Sequence, residues 1–234
     1  MIFNIKKKVD LKYRIHKIPK GFLEPNREMK SLIIQQQWDD RFIEILEKEK
    51  IESINYNPYL ECDIEFLEKL TNFPIRDFVL QTPTVKNIEP LRYLKFLECL
   101  SLDQPFISAP DFSKFQNLWW LGVAWRTKGK SILRSKTIRR LGLNKVSFKN
   151  LEPLAEMQQL ELLGISYGSL ESLEGIENLP NLTDLAVRFS RNFKSLDGLQ
   201  NAPKLTKEKT IITKCKQITP ESPFAEHVTF NDLV

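Results

Sequence analysis

Histidine, cysteine and closely spaced carboxylates are the side chains that could build a catalytic centre, and their spacing argues against one. The chain has only two histidines, His16 and His227, neither in register with a nucleophile, so a histidine base has nothing to activate. Cys62, Cys99 and Cys215 form an odd set without short spacing, which suits neither a disulfide framework nor a zinc site. Glu171, Glu174 and Glu177 recur every three residues, as the solvated side of short helical turns does. The sequence contains no glycine-rich phosphate loop, HExxH or CxxC. The chain therefore reads as a non-enzyme with no cofactor and no metal.

The remaining chemistry is recognition. Trp120, Trp125, Tyr167, Arg140 and Arg188 are of the types that dominate binding energy at protein interfaces, and Phe189 adds a further ring. Gly122, Gly142 and Gly164 lie among them in the sequence. Asp103, Leu162 and Asp184 complete the candidate protein-binding set. Residues 112–151 hold ten Lys or Arg and no Asp or Glu. Within that run Arg126, Lys128, Lys130 and Lys145 are candidates for electrostatic steering, because rim charges change association rates more than they hold a complex together.

A repeat positions all of these residues. Eight segments share the pattern apolar-x-x-apolar-x-apolar: Met29-Leu32-Ile34, Ile51-Ile54-Tyr56, Ile75-Phe78-Leu80, Leu97-Leu100-Leu102, Leu118-Leu121-Val123, Ile138-Leu141-Leu143, Leu160-Leu163-Ile165 and Leu182-Leu185-Val187. They recur every 20 to 24 residues, which is the signature of a solenoid whose units bury their apolar sides against one another. Strand alternation turns positions one, four and six inward and three, five and seven outward. Column three is then Ser31, Ser53, Asp77, Cys99, Trp120, Arg140, Leu162 and Asp184. Column five is Ile33, Asn55, Val79, Ser101, Gly122, Gly142, Gly164 and Ala186. Its last four residues predict a furrow, bordered by Trp120 and Arg140 and, at position eight, by Trp125, Tyr167 and Phe189. Glycine within a strand often marks close approach of another backbone or a ligand.

The connections differ along the chain. Trp38, Phe42, Ile45 and Leu46 fall on one face of a helix over 39–49, with Asp39 and Asp40 at its positive end. Later repeats have apolar residues three apart, as at Leu170, Leu173, Ile176 and Leu179, which suits 3₁₀ turns. In the 20-residue Leu118 repeat, Lys128 to Lys136 replaces the apolar outer turn, so an irregular coil is expected there. Residues 11–18 alternate as a half-buried strand. A final strand is expected around Ile211 and Thr213, giving about nine parallel strands.

The stretch LELLGISYGSLESLEGIENLPNLTDLAV resembles the short, 22-residue class of leucine-rich repeats, and the match extends over roughly residues 29–205. The resemblance implies an α/β solenoid, with a curved parallel sheet on the concave side and short helical or 3₁₀ turns on the convex side. That class carries Asn at position nine. This chain has Tyr59, Pro83, Pro105, Arg126, Val146, Gly168 and Ser190 there, so its coils must stack without an asparagine ladder. The expected division is an N-terminal cap over 1–28, the repeat body over 29–216 and a C-terminal cap over 217–234.

No apolar run approaches the ~20 residues of a membrane helix, and the start MIFNIKKKVD lacks the apolar core of a signal peptide. A cytoplasmic chain, monomeric when free, is expected. Net charge is +5, with seven basic residues and one acid in the first 20, against eight acids and three bases over 151–200. The function expected is non-catalytic protein binding on the concave face, to a partner acidic or neutral where it is held. Among such proteins the chain resembles bacterial leucine-rich-repeat immunity factors that neutralise toxins, so the partner implied is a toxin domain. A scaffold or regulatory subunit ranks second. Nucleic-acid binding through the basic stretch ranks third, since that stretch lacks interleaved aromatics beyond Trp125.

Overall fold

The computed structural model describes residues 11–19, 28–58, 61–102 and 104–231. Alternating apolar residues form short strands: β1 (Tyr13–Pro19), β2 (Glu28–Ile34), β3 (Ser53–Tyr56), β4 (Asp77–Leu80), β5 (Cys99–Leu102), β6 (Trp120–Ala124), β7 (Arg140–Asn144), β8 (Leu162–Ser166), β9 (Asp184–Arg188), β10 (Thr210–Thr213) and β11 (Thr229–Phe230). They make one sheet in strict chain order. β1 runs antiparallel to β2, and all later neighbours are parallel. The tail thus contributes one more parallel strand, β11, than the repeat pattern predicts.

Every first, fourth and sixth residue of the eight triplets is buried. The outward columns also pair as the alternation requires, with Trp120 beside Arg140, Arg140 beside Leu162 and Leu162 beside Asp184. The connections crossing the other face are 3₁₀ turns, apart from α1 (Arg41–Glu49). In front of α1, Asp39 accepts from the Arg41 amide and pairs with its guanidinium at 2.7 Å, and the Arg41 contacts hold its carboxyl down at about 2. Trp38 stacks on Phe66 of the following coil at 4.0 Å, which ties the helix to the repeat.

Two expectations are corrected. β1 is not half-buried: Tyr13 and Ile15 are 40% and 37% exposed. They pair across from Ile34 and Leu32, so they face the core side of the sheet at its end, where the Tyr13 and Phe42 rings meet edge to face with centres 6.1 Å apart. The Leu118 repeat is not irregular either. Residues 127–134 form a 3₁₀ turn that buries Gly129 and Ile132. An added Cβ on Gly129 would stand 3.2 Å from both Ile132 and Phe106, so a glycine and one isoleucine supply the packing that the lysines do not.

Backbone hydrogen bonds join the coils at the edge where strands begin, opposite position nine. From Glu52 to Glu161 the carbonyl of each position-two residue accepts two amides from the next coil. Glu98 O takes the amides of Trp119 and Trp120, Trp119 O those of Arg139 and Arg140, Arg139 O those of Glu161 and Leu162, and Glu161 O those of Thr183 and Asp184. At position nine, Val146 and Ser190 are buried, and Gly168 makes room for Val146, whose Cγ2 would be 2.3 Å from an added Cβ.

On the outer side Gly175 has φ +91°, and an added Cβ would lie 2.4 Å from the Glu152 amide nitrogen. That neighbour is backbone and cannot swing away. Gly175→Ala is expected to lose at least ~2 kcal/mol, from the left-handed backbone and the overlap together. Urea denaturation checks this, and an unchanged midpoint would mean that the β7 and β8 coils part there without cost.

Candidate binding face

The outward columns of β6 to β9 build the candidate site. Gly122, Gly142, Gly164 and Ala186 pair directly across four adjacent strands, so a line of positions without long side chains crosses the sheet. The line is not open throughout. A Cβ on Gly122 would meet the Trp120 indole at 2.9 Å, whereas at Gly142 and Gly164 it would meet only neighbouring backbone at 3.7 to 4.0 Å. Trp120 has folded over Gly122 and closes that end of the furrow with an aromatic surface. Gly142 and Gly164 remain an uncovered floor.

Column three forms one bank. Trp120, Arg140 and Leu162 are half-buried, and the Arg140 guanidinium lies 5.8 Å from the Trp119 ring centre. Asp184 accepts from Thr183 at 2.6 Å and from Lys209 at 3.2 Å, so its charge is already matched within the fold. On the opposite bank Arg188 is exposed. Beyond it Tyr167 stacks on Phe189, with ring centres 4.7 Å apart and planes at 2°. Tyr167 is 57% exposed. Asp103 lies outside the described residues.

Trp125 is a correction. It is 6% exposed and packs edge-on against Phe148 at 5.6 Å, so it belongs to the core and not to the furrow. The cause is local backbone. Lys145, Tyr167 and Phe189, at the same position of the next three coils, leave their strands with positive φ, and Trp125 does not. Its side chain therefore turns inward where theirs turn out.

The steering residues sit away from the floor. Lys128 and Lys130 are exposed on the 127–134 turn, Lys145 is exposed at the end of β7, and Arg126 donates to the Trp125 carbonyl at 2.7 Å. Much of the basic run is matched by acids of neighbouring coils. Arg134 approaches Asp111, Lys136 approaches Glu156, Arg139 approaches Glu161, and Lys149 pairs with Glu171 at 3.0 Å. Glu171 also receives Lys194 at 3.1 Å, and hydrogen bonds from these two lysines hold its carboxyl below the usual carboxylate range.

Sequence reasoning missed Trp119 and Lys214. Trp119 supports Arg140 from position two. The Lys214 ammonium lies 5.7 Å from the Phe189 ring centre, because β10 pairs in register with β9 and places Lys214 at position eight. The register of β10 was the only signal that could have found it. His16 on β1 and His227 before β11 stand at opposite ends of the sheet. Among the described residues no three of His, Cys, Asp and Glu converge in a way that could hold a metal ion, and no helix is long and apolar enough to cross a membrane.

No protein-family model matches the chain, and no curated protein does. Solved structures do. An internalin from Listeria monocytogenes superimposes with a TM-score of 0.51 at 18% identity, over 79% of this chain and 62% of that one. Internalin C2 from the same organism gives a TM-score of 0.39 at 21% identity, over 67% of this chain and 59% of that one. The chain thus spans less than two thirds of either structure. Together with the register described above, the first likeness shows the fold, a leucine-rich-repeat solenoid.

Proposed function

We propose that this leucine-rich-repeat chain is a non-catalytic protein-binding module that holds its partner on the concave face of β6 to β9. The observation that carries the reading is the uncovered floor at Gly142 and Gly164 between Trp120, Arg140 and Leu162 on one bank and Tyr167 and Phe189 on the other. A flat floor admits a backbone or a ring, and anchor residues of hot-spot type stand at its sides. Residues 29–216 form the binding body, and residues 1–28 and 217–234 are its caps. None of the three cysteines is in a disulfide, and two of them are buried, which fits a reducing compartment such as the cytoplasm. Within this class we read the chain as an inhibitor or immunity factor, monomeric when free, whose partner is a toxin domain acidic or neutral where it is held. A toxin gene beside its own would favour that role over a scaffold.

The test is affinity purification of the full chain from its native host, followed by titration of the partner so identified. Trp120→Ala and Tyr167→Ala are each expected to weaken binding by ~2 kcal/mol or more, as truncated hot spots do. Native affinity in both variants would overturn the concave-face reading.

A further inference from the structure

The two edges of the sheet treat charge differently. At the leading edge, where strands begin, charges are matched from coil to coil. Arg76 bridges Glu52 and Glu98, Arg139 faces Glu161, and Lys209 pairs with Asp184. At the trailing edge of β6 to β10 the residues are 124–127, 144–147, 166–169, 188–191 and 213–216. They include Arg126, Lys145, Arg188, Arg191, Lys214 and Lys216 and not one acid. Among the described residues none of these six lies within ion-pair distance of a carboxylate, and all but Arg126 are exposed.

The backbone of this edge is unusual as well. Lys145, Tyr167, Phe189 and Lys214 occupy the same position of four consecutive coils, with φ of 58°, 54°, 53° and 52°. Left-handed backbone is costly for bulky side chains. Here its effect is to stand four side chains outward in a row, with a stacked aromatic pair in the middle and a lysine at each end. Repelling cations and strained backbone both oppose folding, and such violations of local rules collect at functional sites.

We infer that this trailing edge is the docking strip for an extended acidic segment of the partner, laid across the coils. Lys145 and Lys214 are three strand spacings apart, about 14 Å, and residues i and i+4 of an extended peptide are separated by about the same distance on one face. Carboxylates at i and i+4 would meet the two ammonium groups, and an apolar side chain at i+2 would rest on Tyr167 and Phe189. The recognised pattern is acid-x-apolar-x-acid. This rests on the concave-face proposal in supposing a protein partner and shares with it the Tyr167 and Phe189 pair, while Lys145 and Lys214 lie beyond the glycine floor.

The probe is a 13-residue peptide, (Glu-Ser-Leu-Ser)₃-Glu, titrated into the ¹⁵N-labelled full chain by NMR. Shifts confined to the trailing-edge residues of β6 to β10 are expected, with affinity falling at least tenfold in Lys145→Glu/Lys214→Glu and at least fivefold in Tyr167→Ala. Lys48→Glu/Lys86→Glu, which reverses two cations elsewhere, should change it less than twofold. Gly142→Trp should keep peptide binding, so failure of the furrow and failure of the strip are told apart. Shifts elsewhere, or equal affinity in all variants, would overturn the inference. So would tighter binding of a 13-nucleotide oligo-dT at the same edge, which would assign the strip to single-stranded nucleic acid.

Discussion

Gly142→Trp and Gly164→Trp are expected to abolish partner binding, by at least a hundredfold, while the fold survives. Neither glycine has positive φ, and a Cβ at either would meet only ordinary contacts of 3.7 to 4.0 Å with backbone. Replacing a strand glycine also removes its entropic disadvantage. The indole would then occupy the floor between Trp120 and Tyr167, where the partner must lie if the furrow is the site. Circular dichroism and melting near those of the parent, combined with lost binding, is the expected pair of results. A partner that still binds with native affinity after both substitutions would move attention to the N-terminal end, where Lys12, just before β1, and Arg14 on it are exposed. Lys6, Lys7 and Lys8 of the same cluster lie outside the described residues.

Leu163→Ala and Leu185→Ala are expected to cost ~2–5 kcal/mol each, as truncations of buried leucine do. Both side chains lie in the continuous core between the sheet and the outer turns, with neighbouring coils stacked on either side. A cavity there is lined by parts of three coils that cannot close in without breaking the carbonyl ladder between them. Leu162, one residue away, faces the furrow half-exposed, so Leu162→Ala should cost well under half as much. Denaturant titration of the three variants decides the matter, and equal losses at Leu162 and Leu163 would contradict the inward and outward assignment.

The contrast between Leu162 and Leu163 was legible without coordinates. A one-residue slip in a strand exchanges its faces, so eight repeats of the same spacing leave no freedom about which leucine is inside. The same pattern placed Gly142 beside Gly122 and Gly164, and the strand pairing agrees at each position. What periodicity could not resolve was the behaviour of side chains at the ends of strands. Trp125 and Tyr167 share a position in the repeat, yet one is core and the other surface, because the sign of φ differs between them. Position nine offered no asparagine, and nothing in the pattern said that Val146 and Ser190 would be buried there, with Gly168 making room for Val146.

Local regularity therefore determined the solenoid, the direction of each strand residue and the line of glycines, since these depend only on a period of two within strands and about 22 between them. Tertiary structure alone decided that Trp120 covers Gly122, that Lys209 matches Asp184, and that Tyr167, Phe189 and Lys214 stack in a row. Each of these joins residues whose meeting depends on a rotamer, a backbone torsion or an inter-coil register. Such quantities are set by packing between coils rather than by the spacing of residues along the chain.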